Sequence, residues 1–565
     1  METTYNNTEL TQKIQTLEAT INEQAEMINA LRLLIRHYEE RLHVTNRSQF
    51  GTSSEQVPNQ LKIEGLFNDI FNEAEDQAEP SKPEPTYEEI TYKRKKHTGK
   101  REEDLSGLPV ERIDYELPES ERICPECGEV MIDIGVTIRD EVEIIPATMV
   151  HKEHAVHAYG CRNCERNNDH TPVVRAASPA PLIAGSLATP SAVAHLAVQK
   201  YMNGVPLYRQ EKGFTYDNIN LSRQTMANWI VYCAQNYLAA IYSLLVSHLL
   251  KEKYLHADET TVQVLQERGR EAQAKSYEWL YRTGAGAERQ IVIYEYQETR
   301  GHKHPENFLK GFEGYLHCDG YKAYHTLPPN VIVVGCWAHA RRYWEKVYMS
   351  VPKDKRKGSI AECGLAYTSL LFMLENEYED LKPDERHKMR QSCSMLVSDS
   401  YYEWIGTINA LPKSLLGDAV GYSISQRKYL ENVYLDINLE ISNNRAERSI
   451  KPFVQGRKVW LFSCTPNGAE ASSIFYSIIE TAKENKLHPF HYLEYLLERL
   501  PSAKNSELYE LLPWSSSLPD VCRVPDNIKV MPSGKKKEYD KPLKTAVLNL
   551  RQKIFDCQST NDSSG

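Results

Sequence analysis

Leu255-His256-Ala257-Asp258-Glu259-Thr260 marks the point where this 565-residue chain changes its period. Before it, residues 190–250 carry the three-and-four apolar spacing of helices. From Tyr254 onward, β-branched and aromatic residues dominate. Five extended stretches are predicted, at 254–265, 277–281, 290–296, 315–318 and 331–334. Residues 337–435 return to a mostly helical pattern. Residues 442–453 read as another helix, 457–462 as an extended segment, and helices resume across 470–500.

Strands first, a helical insertion and a late acidic helix predict a multidomain α/β protein with an RNase H-like core. Three acids stand out on that frame: Asp258 in its strand, Asp319 in His317-Cys318-Asp319-Gly320-Tyr321, and Glu447 in Asn443-Asn444-Arg445-Ala446-Glu447-Arg448. Strand alternation sends Asp258 and Glu259 to opposite faces, so only one of them can share a site with Asp319. Taken singly, each acid has an ordinary explanation. Asp258 can be a surface strand residue, Asp319 a turn former, and Glu447 the third helical residue answering an Asn444 cap.

Upstream, Ile14, Ile21, Ile28, Ile35 and Leu42 alternate with Leu10, Leu17, Gln24, Leu31 and Tyr38 in a heptad pattern. Residues 1–48 are therefore expected to form a coiled coil that makes the protein a homodimer or higher oligomer. Residues 49–105 read as a linker, acidic and then basic. Its 61–90 stretch holds nine acids against two lysines, so the net charge of −10 understates the basic clusters elsewhere. Cys124-Pro-Glu-Cys127-Gly and Cys161-Arg-Asn-Cys164 have the spacing of a four-thiolate site for one structural Zn²⁺, within a zinc-binding domain at 106–175. His151, His154 and His157 lie between the pairs and are read as surface or phosphate contacts.

Residues 176–250 are expected to bind DNA through a helix-turn-helix-like pattern. Ser222 caps its second helix, and Arg209, Arg223, Gln224 and Asn228 face outward. The core follows in two parts, 251–345 and 437–500, around a helical insertion at 346–436, and a C-terminal segment and tail occupy 501–565. Around Glu447, Arg445, Arg448, Lys451, Arg457 and Lys458 form a basic surface suited to phosphate. Cys336-x-x-His339 has metal-like spacing without a nearby second pair. It is read as a strand-to-helix junction aiming Arg341 and Arg342 at DNA. Trp460 is read as a core residue.

Composition narrows the class further. With 41% hydrophobic and 25% charged residues the chain is neither collagen-like nor wholly disordered. Its 12 cysteines are too sparse for a secreted disulfide scaffold. The N-terminal METTYNNTEL lacks the charged and apolar regions of a signal peptide. The uncharged stretch 224–250 is interrupted by polar residues and reads as a buried helix. No membrane partner and a cytoplasmic, bacterial location are expected.

The ordered motifs resemble one family, the transposases of insertion sequence 66, of the DDE class. The resemblance runs from the coil to Trp514. It includes Phe50-Gly51-Thr52-Ser53-Ser54-Glu55, the paired CxxC, Pro206-Leu207-Tyr208-Arg209-Gln210-Glu211 and Ala257-Asp258-Glu259-Thr260. It continues with Asp319-Gly320-Tyr321-Lys322-Ala323-Tyr324, Cys336-Trp337-Ala338-His339-Ala340-Arg341-Arg342, Asn443-Asn444-Arg445-Ala446-Glu447-Arg448 and Gly456-Arg457-Lys458-Val459-Trp460-Leu461-Phe462. Lys451 and Val459 depart from the family's usual Arg and Asn. The resemblance implies that Asp258, Asp319 and Glu447 are a catalytic triad holding two Mg²⁺ (or Mn²⁺). It further implies terminal inverted repeats and target DNA as double-stranded partners, strand cleavage and strand transfer as the reaction, and accessory element-encoded proteins as possible helpers. The alternatives are a catalytically inactive zinc-containing DNA-binding regulator or transposase remnant, and a general RNase H-like nuclease.

Overall fold

The structure, a computed structural model, describes residues 148–160, 173–525 and 541–561. The coil, the linker, the zinc cysteines Cys124, Cys127, Cys161 and Cys164, and the Lys535-Lys536-Lys537 tail lie outside those residues. Two units are distinguished. In one, β1 (Ala158–Gly160) and β2 (Val173–Arg175) pair antiparallel, with Ala158 opposite Arg175.

The other unit, from Leu187 onward, opens with helices whose starts the sequence encodes locally. α1 (Pro190–Ala197) begins at Thr189, whose hydroxyl accepts from the Ala192 N–H, and has proline in its first turn. α2 (Leu207–Tyr216) leads to α3 (Arg223–Cys233), where the Ser222 hydroxyl accepts from the Thr225 N–H as its spacing predicts. A π-turn at Ala234–Leu238 joins α3 to α4 (Ala239–Leu249). The run Arg223–Leu249 is long and apolar enough to cross a membrane by length and composition alone. Its apolar stripe of Met226, Trp229, Ile230, Cys233, Leu238, Ile241 and Leu245 is buried within this unit.

The five expected strands follow: β3 (Tyr254–Gln263), β4 (Lys275–Thr283), β5 (Val292–Gln297), then α5 (Lys303–Phe308), β6 (Gly314–His317) and β7 (Val331–Val334). They form one sheet in the order β5-β4-β3-β6-β7. β4 runs antiparallel to both β3 and β5, β6 adds parallel to β3, and β7 adds parallel to β6.

Helices α6 (Trp337–Ser350), α7 (Ile360–Glu377), α8 (Pro383–Met389), α9 (Met395–Gly406) and α10 (Leu415–Glu431) then precede α11 (Asn444–Trp460). Trp337, Trp344, Leu370, Leu371, Val397 and Tyr401 fill a core among α6, α7 and α9, which Leu543 and Val547 of α14 (Lys541–Asn561) join. α12 (Pro466–Glu484) and α13 (Pro489–Arg499) follow α11 in the chain. β5 is an edge strand, and α12 covers that edge. The Ser477 and Thr481 hydroxyls accept from the backbone N–H groups of Tyr294 and Val292 at 2.8 and 3.0 Å. Side-chain hydroxyls thus satisfy groups that would otherwise template further pairing.

One local expectation is corrected. Residues 457–460 are not extended but form the last turn of α11. Val459, Trp460 and Phe462 favour a strand by propensity, but tertiary contacts override it. The Arg457 guanidinium donates to the Thr260 and Thr261 hydroxyls at 3.1 and 2.9 Å, drawing that turn onto β3. The helix stops at Leu461, where φ is +67° and the Phe462 N–H bonds the Trp460 carbonyl at 2.9 Å. This is a γ-turn strained for a residue with a side chain. Extended pairing begins just after it, where Ser463 bridges Val264.

Candidate active site

Strand register brings two of the three acids together. β3 and β6 are parallel neighbours with His256 opposite His317, and the two rings stack at 5.0 Å. Asp258 stands two residues further along β3, and Asp319 two residues past the end of β6, in the turn that follows it. Asp258 spends one oxygen on the Glu259 N–H at 2.8 Å. Asp319 spends one on the Tyr321 N–H at 2.9 Å, the bond expected of a turn former. Each keeps its other oxygen. The glycine after Asp319 is required by close approach, since a Cβ at Gly320 would sit 2.9 Å from the Tyr422 ring of α10.

The third acid arrives on α11, which Asn443 fastens to the sheet. Asn443 is fully buried; its amide nitrogen donates to the Ala257 carbonyl at 2.8 Å and its amide oxygen lies 2.9 Å from His256 Nδ1. Its backbone N–H points to Cys336 Sγ at 3.1 Å. The helix therefore starts one residue earlier than an Asn444 cap requires, and Asn443 spends its side chain on the sheet rather than on a capping bond. Glu447 is then the fourth helical residue, so the capping-box explanation fails. Instead both Glu447 oxygens accept from Arg342 Nη2, and His339 Nδ1 lies 3.7 Å from Oε1.

Electrostatics register the crowding. Burial, followed by the charges of Glu259, Asp319 and Glu447, holds the Asp258 carboxyl well above its usual range. Glu259, on the other face, meets a different environment. Arg300 Nε donates to it at 2.9 Å and the Tyr324 hydroxyl at 2.6 Å, opposing the upward push of burial and Asp319. Arg300 in turn lies 3.7 Å over the Tyr321 ring. The hub formed by Arg300, Tyr321 and Tyr324 carried no legible pattern, because Arg300 sits in an irregular turn far along the chain. Beneath the acids, burial and His256 push the His317 ring down to about 3, so it stays neutral. His256 bonds Glu440 at 2.9 Å, and together with Arg445 it holds that carboxyl far below its usual range against burial.

Three carboxylates near enough to raise Asp258, with uncommitted oxygens on two of them, are donors of the kind a hard divalent cation of the magnesium class takes, although their oxygens are not gathered within 4.8 Å of one another. They do not suit a soft metal.

The residues expected to touch DNA divide into two groups. Arg209, Arg223, Gln224 and Asn228 are exposed on α2 and α3, as is Arg448 on α11; Lys451 and Lys458 are partly covered. Arg341, Arg342, Arg445 and Arg457 are also partly covered and bond to groups within the protein, as Arg209 does to the Tyr208 hydroxyl at 3.3 Å. Arg341 bonds Ser369 and Glu345, Arg342 bonds Glu447, Arg445 bonds Glu440, and Arg457 bonds the two threonines of β3. Trp460 packs edge-on against Phe453 at 5.6 Å, as a core residue would.

Comparison with known proteins adds family evidence. A family model described as the transposase IS66 family matches residues 185–471, just over half the chain. Models for the IS66 C-terminal element, the zinc-finger binding domain of transposase IS66 and the transposase C of IS166 homeodomain match 477–514, 121–165 and 37–113. Among curated proteins, the uncharacterized protein y4qI of Sinorhizobium fredii is 31% identical over 61% of this chain and 65% of its own length. From the same organism, the uncharacterized protein y4jD is 28% identical over 73% of this chain and 82% of its own. Among solved structures, the Drosophila P element transposase strand transfer complex matches with a TM-score of 0.29 and 11% identity, covering 52% of this chain and 92% of that one.

Proposed function

The chain belongs to the IS66 family of transposases, and on that premise we propose that it cuts and rejoins DNA at Asp258, Asp319 and Glu447. The observation that carries this reading is the register of β3 and β6, which sets Asp258 near Asp319, with α11 fastened to β3 alongside. Three antiparallel strands continued by two parallel ones, with a late helix bearing the last acid, support an RNase H-like core.

In this reading the three carboxylates hold two Mg²⁺ or Mn²⁺. When bound, such ions activate a water or 3′-hydroxyl and stabilise the leaving oxygen of an in-line displacement. The chain's own residues prepare that chemistry. Asn443 and His256 lock α11 to β3, so Glu447 is aimed before any ligand arrives. Arg342 holds both Glu447 oxygens in one orientation and neutralises them. Arg448 and Lys451 offer charge to the DNA backbone beside the acids, while Arg209, Arg223, Gln224 and Asn228 present a polar helix surface to a groove. Cys124, Cys127, Cys161 and Cys164 would hold one structural zinc, consistent with the zinc-finger match. The N-terminal heptads would join protomers so that two element ends can be paired. Terminal inverted repeats are the specific DNA partner.

The test is Mg²⁺-dependent nicking of a duplex carrying the element's own terminal repeat. Glu447→Gln keeps the shape and removes the charge, so repeat binding should persist while nicking falls by about 10²-fold or more. Near-parental nicking by Glu447→Gln would overturn the assignment. No nicking by the parent chain, with repeat binding intact, would favour a DNA-binding regulator. Equal nicking of unrelated duplexes would favour a general nuclease.

A further inference from the structure

The magnesium-class site leaves one cluster unused. Cys336 precedes α6, His339 lies in its first turn, and Glu447 approaches from α11. One ligand atom from each lies within 4.8 Å of the others. The cysteine is fully buried. His339 Nδ1 is buried with no hydrogen-bond partner among the described residues, and Glu447 Oε1 is 3.7 Å from it. An orphaned imidazole nitrogen facing a carboxylate and a thiol is costly unless something joins them.

We propose that Cys336, His339 and Glu447 form a second metal site, for a thiophilic transition ion of the zinc class. Sulfur, nitrogen and oxygen donors with one open position are a known zinc set, whereas magnesium avoids sulfur. Tetrahedral bonds of about 2.0–2.3 Å separate ligands by about 3.5 Å, so the cluster must close by roughly 1 Å. Binding exchanges the Cys336 S–H bond for a sulfur–metal bond and releases the proton to solvent. Arg342 must also leave. Its Nη1 lies 3.3 Å from His339 Nε2 and its Nη2 grips Glu447, but its side chain is 27% exposed and has a way out.

The site shares Glu447 with the proposed triad. Occupation by zinc therefore draws that carboxylate away from Asp258 and Asp319, and cleavage in Mg²⁺ is antagonised by a soft metal. This second consequence rests on the proposed function; the existence of the site does not.

The experiment uses the full chain carrying one equivalent of Zn²⁺, enough for the zinc-finger thiolates alone, and titrated with Co²⁺. One further equivalent should bind with a sulfur-to-cobalt charge-transfer band. Cys336→Ser should abolish that band, and His339→Gln should weaken binding tenfold or more. Arg342→Ala should strengthen it by removing the competitor. A band unchanged in both Cys336→Ser and His339→Gln, in protein folded by circular dichroism, overturns the site even if nicking is robust. Zinc should inhibit Mg²⁺-dependent nicking of the parent chain at least tenfold more potently than that of Cys336→Ser, each compared with its own uninhibited rate. Equal potency overturns the antagonism while leaving the metal site standing.

Discussion

Asp258 and Glu259 are consecutive in β3, yet one faces carboxylates and the other a cation. Glu259 has Arg300 and the Tyr324 hydroxyl built against it, and its side chain is 1% exposed. Asp258 has only its neighbour's backbone N–H to favour its charge, with burial and then the charges of Glu259, Asp319 and Glu447 opposing. Glu259, though still held above its usual range by burial and Asp319, has a fixed internal cation that offsets part of that push. A buried acid ringed by acids is costly to ionise unless a proton or a cation from outside joins it.

That contrast can be broken by mutation. The largest expected effect is from Asp258→Asn, which should lower single-turnover nicking by about 10²-fold or more while the fold survives. Nicking near the parent rate would place Asp258 with the structural acids.

Next in size are the two arginines. Arg300→Ala strands Glu259, and urea unfolding should show a loss of about 2 kcal/mol, below the range for a wholly buried pair because Arg300 is 39% exposed. Added Mg²⁺ should not restore it. Arg342→Ala strands Glu447 in the same way, but there Mg²⁺ should recover most of the loss, since a metal can take the arginine's place. Identical responses to Mg²⁺ would erase the distinction between the two acids.

The smallest effect concerns a third kind of acid. Glu278 in β4 is fully buried, neither oxygen makes a hydrogen bond of good geometry among the described residues, and burial with Glu295 nearby holds it well above the usual range. The folded chain therefore keeps a proton that the unfolded chain releases near about pH 4.3. The stability linked to that proton is full below this pH and declines as pH rises toward the folded value. Glu278→Gln should flatten the decline, adding about 1 kcal/mol at pH 8 in urea melts and almost nothing at pH 4. A gain equal at both pH values would mean that packing, not charge, is responsible.

Much of this arrangement was legible in the sequence, for identifiable reasons. The five strands announced themselves by β-branched and aromatic runs, and Ser222 by its position before an apolar helix. Residues 457–460 misled because their side chains favour strands, while the bonds from Arg457 to Thr260 and Thr261 reach almost two hundred residues back. The acids stood out singly, but strand pairing between residues 256 and 317 is what makes them neighbours. Arg342 was noticed as a cation aimed at DNA, but its bond to Glu447 was not foreseen. An arginine's sequence context cannot say whether a phosphate or a glutamate on another helix will occupy it.

The central claim is that Asp258, Asp319 and Glu447 share a divalent cation and Glu259 does not. Calorimetric titration of Mn²⁺ into the full chain carrying one equivalent of Zn²⁺, enough for the zinc-finger thiolates alone, tests it without DNA. The account predicts Mn²⁺ binding that Asp258→Asn, Asp319→Asn and Glu447→Gln each weaken at least tenfold, and that Glu259→Gln leaves within about twofold. Binding that survives Asp258→Asn, or that falls equally with Glu259→Gln in protein that remains folded, would contradict it.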